Sequence, residues 1–168
     1  CVNYPDPFCR ELRTATAKFL QVAEENIFFG NGAADVLFRL ALALKPHKAL
    51  LLAPTFADYE KALRSVDCGI EYYNLQEEKD FKVQQDILQA ITPEIDIVVI
   101  CNPNNPTGQL TNRELLLEIL NKCVEVNAKL LIDECFMDFV DEAKAFSMRG
   151  LLAGYPNLII LKAFTKTF

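Results

Sequence analysis

Two hydrophobic periods take turns along this chain, and each change of period marks a new element. Leu12, Ala15, Phe19 and Val22 recur at helical spacing, which predicts an amphipathic helix over residues 8–23. Residues 26–29 form a short extended piece leading into Gly30-Asn31-Gly32-Ala33-Ala34, a turn that opens a helix over 35–44, stopped by Pro46. A strand over 49–52, a helix over 56–65, a strand over 70–74 and a helix over 83–91, ended by Thr92-Pro93, follow in order. Residues 95–101 are a continuous apolar run, typical of a strand buried on both faces. A helix over 113–126 takes Thr111 or Asn112 as N-cap, with Glu114 in its first turn. Strands over 130–133 and 158–161 complete the series. Strands separated by helices predict an α/β fold, a mostly parallel sheet covered by helices with right-handed crossovers.

Composition narrows the picture. The 168 residues suffice for one domain with a sizeable core, and a chain 51% hydrophobic and 24% charged is an ordinary globular mix. A net charge of −6 without a basic run argues against nucleic-acid binding. No apolar run reaches the length of a membrane span, and none reads as a signal peptide. Cys1, Cys9, Cys68, Cys101, Cys123 and Cys135 are scattered without a C-x-x-C, so reduced thiols in a cytoplasmic protein are the simpler account. Cys135 is the least settled, since it falls among the candidate site residues. A single histidine, His47, in a polar loop leaves no zinc spacing, and no metal site is expected. The chain begins at Cys1 rather than Met and stops two residues after Lys166; it is read as a piece of something longer.

The chemistry gathers just beyond the predicted strands. Asn102-Pro103-Asn104-Asn105-Pro106-Thr107-Gly108 follows the strand over 95–101, Asp133-Glu134 closes the next, and Thr165-Lys166 lies past the last. An amide, a carboxylate and an amine would meet at the carboxyl edge of one sheet, where open α/β sheets bind ligands. Pro103, Pro106 and Gly108 make a rigid loop able to aim an asparagine amide, or a plain structural turn. Asp133 either caps a loop, pairs with a lysine, or meets a cationic ligand. At about 4 Å and an effective dielectric near 20 an opposite charge gains roughly 4 kcal/mol, worth roughly 3 pKa units on the partner. Glu134 is expected to turn to backbone or solvent. Lys166 is a candidate Schiff-base amine, with Lys162 as its competitor. Gly32, Ala33 and Ala34 would form a helix N-terminus suited to phosphate, or a plain turn. Phe56, after Pro54-Thr55, could stack on a flat ring or fill core. The trio suits a ligand with a phenolic oxygen, a pyridine nitrogen and an aldehyde; pyridoxal phosphate has all three.

Taken together, Tyr4-Pro5-Asp6-Pro7, Gly30-Asn31-Gly32-Ala33, Ala53-Pro54-Thr55-Phe56, residues 102–108, Asp133-Glu134 and Thr165-Lys166 resemble the pyridoxal-phosphate enzymes of aminotransferase fold type I, class I/II. Histidinol-phosphate aminotransferases and threonine-phosphate decarboxylases are the nearest branches. The resemblance implies that Lys166 binds the cofactor and moves a proton, Asp133 pairs with the ring nitrogen and Asn105 donates to its O3′. It also implies that Ala33 and Ala34 hold the phosphate, Phe56 stacks on the ring and Thr165 supports lysine or phosphate. Tyr4 would reach the neighbouring subunit of a homodimer. Residues 1–168 would be the large, cofactor-binding domain, incomplete, without the small domain. Two departures are Phe136, where a tyrosine is frequent, and Ala163, where a hydroxyl residue is frequent. Phe136 leans toward the decarboxylase branch. A phosphate arginine beyond the lysine and a carboxylate arginine in the small domain are not among these residues. Transamination of an amino acid or amino-phosphate is the first expectation, decarboxylation of a threonine phosphate the alternative. A non-catalytic α/β module is the rival from another class. A dinucleotide-binding domain ranks third, because no G-x-G-x-x-G occurs.

Overall fold

The computed structural model describes Tyr4 and residues 6–166, which fall into two compact units, Cys1–Asn31 and Gly32–Phe168. In the first unit, helix α1 spans Arg10–Leu20. It starts later than the periodicity predicts because Asp6 gathers the donors ahead of it. The Asp6 carboxylate accepts hydrogen bonds from the amides of Phe8 (3.1 Å) and Arg10 (2.9 Å) and from the Arg10 guanidinium. Gln21, at φ 57°, ends the helix. A single 3-10 turn covers Glu24–Asn26, so the expected extended piece begins only at Ile27 and pairs with no strand among the described residues. Pro5, within the Tyr4-Pro5-Asp6-Pro7 string, lies outside the described residues.

The second unit is built on five strands: β1 Lys48–Ala53, β2 Gly69–Asn74, β3 Ile97–Cys101, β4 Lys129–Asp133 and β5 Leu158–Leu161. Their order is β2-β1-β3-β4-β5, and every neighbouring pair is parallel. Helices α2 Gly32–Leu44, α3 Asp58–Arg64, α4 Ile87–Ala90, α5 Arg113–Glu125 and α6 Ala143–Phe146 accompany them. Side chains alternate across a strand. Leu50, Leu52, Val98, Ile100, Leu130 and Ile132 therefore pack on one face with Ile87 of α4 and Leu116, Ile119 and Leu120 of α5. Leu51, Ile97, Val99 and Leu131 pack on the other face with Leu37 and Ala41 of α2 and Ala62 and Leu63 of α3. Burial from both sides is why the β3 run carries no polar alternation.

The strand order reverses between β1 and β3, so the crevice beyond their carboxyl ends is the place where such sheets take ligands. Register levels the polar signals there: Cys101 lies opposite Asp133, and Asp133 opposite Leu161.

Three details refine or correct the periodicity. The helix predicted over 83–91 is one turn, Ile87–Ala90, because the Tyr73 hydroxyl accepts the Gln84 amide (3.4 Å) and donates to Asp86, holding the preceding residues out of helical bonding. Of the two N-cap candidates for α5, Asn112 takes the role, its Oδ1 accepting the Leu115 amide at 2.8 Å. The stretch between β4 and β5 carries α6 and 3-10 turns at Met137–Phe139 and Arg149–Leu151 that no periodicity marked.

Ile100, fully buried in the central strand, is expected to cost about 2–5 kcal/mol when truncated to alanine. Phe139→Ala, at a 64% exposed position, is expected to change stability by no more than about 0.5 kcal/mol. Urea unfolding of both variants checks the contrast.

Candidate active site

Asp133 ends β4 with 5% of its surface exposed. Its two oxygens have different partners. Oδ2 accepts a hydrogen bond from the Tyr59 hydroxyl at 2.5 Å, and Oδ1 accepts the backbone amide of Cys135 at 2.8 Å. Among the described residues no lysine, arginine or histidine forms an ion pair with it. Of the pairings open to it in the sequence, the lysine is therefore not the one made. Burial, then the charge of Asp133, push the Tyr59 hydroxyl far above the usual phenol range. The same two causes push the Cys101 thiol up to about 11 and raise that of Cys135 further. These neighbours keep their protons at neutral pH, and the buried thiols are not activated nucleophiles.

Tyr59 is the residue that sequence reasoning missed. It is 1% exposed in α3, and its ring meets Phe56 edge-on with centroids 5.5 Å apart at 82°. Phe56 is half-buried, so it both fills core and borders the site. Ala33, Phe56 and Phe136 pack against the same core cluster that contains Tyr59, Cys101, Cys135 and Ala163.

The loop after β3 divides its asparagines between clamping and display. Buried Asn102 accepts the Thr111 amide through Oδ1 at 2.9 Å, closing the loop on itself. Buried Asn104 donates through Nδ2 to the Pro54 carbonyl and to Thr107 Oγ1, both at 3.0 Å, and accepts from the Thr55 hydroxyl at 3.0 Å. It thereby ties the β3 loop to the β1 loop. Gly108 sits at φ 71°, a conformation that side-chain-bearing residues rarely adopt. Asn105, between two clamps, has no side-chain hydrogen bond within the described residues and lines an open cleft of about 370 Å³ with Pro106, Gly108, Phe136, Phe139 and Val140.

Lys162 and Lys166 separate cleanly. Lys162 Nζ lies 2.6 Å and 2.7 Å from the two Asp138 oxygens. Lys166, in the 3-10 turn Phe164–Lys166, is exposed, and its Nζ stands 5.2 Å from the centroid of the Phe136 ring. Thr165 is exposed beside it. Gly32 opens α2 at φ 84°, with Ala33 and Ala34 in the first turn. Tyr4, in the first unit, is fully exposed. His47 is exposed, as expected. Of the two expectations for Glu134, backbone is met and solvent is not: it is buried, accepting from the Met148 amide at 2.8 Å and also from the Ser147 hydroxyl at 2.7 Å.

A doubly wound parallel sheet with a buried acid, a displayed amide and a displayed lysine at its carboxyl edge defines a ligand-binding α/β domain. The model of the family "Aminotransferase class I and II" matches residues 1–168, and the chain belongs to that family. The family is pyridoxal-phosphate-dependent. The chain is 36% identical over 169 residues to a threonine-phosphate decarboxylase of Salmonella typhimurium, covering 100% of this chain and 46% of that protein. It is also 36% identical over 169 residues to a histidinol-phosphate aminotransferase of Cytophaga hutchinsonii, covering 99% and 47%. The crystal structure of the histidinol-phosphate aminotransferase from Clostridium acetobutylicum superposes with a TM-score of 0.87 at 29% identity, over 99% of this chain and 48% of that one. The chain thus spans about half the length of the curated relatives it matches. These likenesses bear out the fold type I resemblance and the parallel, helix-covered sheet.

Burial raises the Glu134 carboxyl above its usual range, against the opposing hydrogen bonds of Ser147 and Met148. An acid whose folded-state pKa is raised contributes stability that is complete below its usual pKa and is lost as pH rises through the folded value. Glu134→Gln keeps the shape and is expected to flatten the fall in stability above about pH 4.5. Urea titrations of both proteins from pH 4 to pH 8 check this.

Proposed function

We propose that this chain is the large, cofactor-binding domain of a pyridoxal-phosphate enzyme that acts at Cα of an amino acid or amino-phosphate. The observation that carries this reading is Asp133, a buried carboxylate at a strand end with no cation beside it among the described residues. An isolated buried charge is costly, and a protonated pyridine nitrogen is the counter-charge that would offset it. The remaining donors fit the same molecule. The Asn105 amide, without a side-chain partner among the described residues, would donate to the ring's phenolic oxygen, and Phe56 would cover a ring face. The amides of Ala33 and Ala34 would hold the phosphate at the start of α2, opened by Gly32. Thr165 would support the lysine or the phosphate.

When bound, the cofactor supplies an electron sink for the pair left as a bond at Cα breaks. Asp133 would hold a proton on the ring nitrogen and so deepen that sink. The Lys166 amine, stacked on Phe136 instead of tied to an acid, would engage the aldehyde carbon and later carry a proton to or from Cα. Lys162 is held by Asp138 and is not available for that task. Tyr4, fully exposed, would reach the partner's phosphate in a cytoplasmic homodimer.

Two reactions share this machinery. Transamination would require Lys166 to carry a proton away from Cα, and decarboxylation would require it to deliver one to Cα. Phe136, where a tyrosine is frequent in the resembling enzymes, supports the second reading through that resemblance, and relatives of both kinds match almost the whole chain.

Borohydride reduction with pyridoxal phosphate, followed by peptide mass mapping, is expected to leave a phosphopyridoxyl mass on Lys166 and none on Lys162. A label on Lys162 alone, or on no lysine, would overturn the assignment. Lys166→Arg is expected to lower turnover by roughly 10²- to 10⁴-fold. Carbon dioxide released from O-phospho-threonine identifies the decarboxylase branch, and a keto product with an amino acceptor identifies the transaminase branch.

A further inference from the structure

Tyr59 joins two residues that the proposed function uses separately. Its hydroxyl reaches Asp133 Oδ2 at 2.5 Å, and its ring meets Phe56 at 5.5 Å in an edge-on contact. It is fully enclosed, with Ala62 and Leu63 of the same helix and Leu37, Ile97, Val99 and Leu131 around it in one cluster. It has no freedom to turn elsewhere.

The geometry has a chemical consequence. A hydrogen bond donated to a carboxylate stabilises the ionised form over the neutral one. When a carboxylate faces a protonated ring nitrogen in a dry site, the shared proton can settle on either. Donors on the far side of the carboxylate favour the ion pair, with the proton on nitrogen. The titratable groups that face Asp133 are Tyr59 from α3, Cys101 from β3 and Cys135 from its own segment. The Tyr59 hydroxyl is the strong side-chain donor among them, 2.5 Å from Oδ2, and the Cys135 thiol is a weaker one. Cys101 directs its thiol to the Pro103 carbonyl at 3.2 Å, and Cys135 contributes its backbone amide.

We propose that Tyr59 is a positioning residue: its hydroxyl, donated to Oδ2, fixes the Asp133 carboxylate for a ring nitrogen, and its ring braces Phe56 at the ring face. This rests on the proposed cofactor site. A tyrosine kept only to fill core would do as well without its oxygen.

Tyr59→Phe separates these roles because it keeps the ring and removes only the hydroxyl. Pyridoxal phosphate affinity is followed by fluorescence titration, and the protonation of its ring nitrogen by nitrogen-15 NMR of the loaded protein. The variant is expected to weaken cofactor binding by roughly tenfold or more and to move the ring nitrogen toward its unprotonated form, with Lys166 still labelled on borohydride reduction. Unchanged affinity and an unchanged ring nitrogen, in a variant that still labels at Lys166, overturn the positioning role and leave the cofactor site intact. Absence of a label in the unaltered protein overturns the cofactor site and the positioning role with it. Should the variant fail to fold, the Tyr59 hydroxyl proton supplies the second test in the unaltered protein: a slowly exchanging proton resonance that shifts when pyridoxal phosphate binds is expected, and one indifferent to the cofactor overturns the proposal.

Discussion

The site depends on one constraint, a carboxylate that must stay buried at the end of an inner strand without a cation of its own. Asp133 meets it with two neutral donors, the Tyr59 hydroxyl and the Cys135 amide. The first donor comes from α3, so the distance between α3 and β4 is set by a hydrogen bond as well as by apolar packing. Burial and the acid's own charge hold the protons on Tyr59, Cys101 and Cys135. The acid thus faces the crevice among neutral neighbours. That makes its charge effective, because nothing nearby has already neutralised it.

The loops beyond β1 and β3 serve the same end. A buried amide left without partners costs about 1–3 kcal/mol. Asn102 and Asn104 avoid that by closing the loop and by binding the β1 loop at Pro54 and Thr55. Two asparagines thereby hold still the segment that displays the third. Phe136 and Lys166 complete the edge, with the amine standing over an aromatic face instead of against an acid.

Much of this was legible in the residues. The β3 run, the helix stripe Leu116, Ile119, Leu120 and Cys123, and the polar signals past each strand carry their own periodicity or contrast. Residues 83–86 misled, because Val83, Ile87 and Ile91 recur at helical spacing while the Tyr73 hydroxyl, from the preceding strand, holds Gln84 and Asp86 outside the helix. Tyr59 was hidden for a related reason. A tyrosine on the inward face of an amphipathic helix looks like core, and its hydroxyl's partner lies 74 positions away. The roles of Asn102, Asn104 and Asn105 could not be divided either, since the division follows from which carbonyls and amides fold back onto the loop. Glu134 turned inward because Ser147 and Met148 return to meet it, through a stretch with no periodic pattern.

The central claim is that Asp133 is held as the counter-charge of a protonated ring nitrogen. Nitrogen-15 NMR of the protein loaded with ring-labelled pyridoxal phosphate tests it most directly. The account predicts a protonated ring nitrogen at neutral pH that loses its proton in Asp133→Asn. An unprotonated nitrogen in the unaltered protein, or a protonated one indifferent to that substitution, would contradict it.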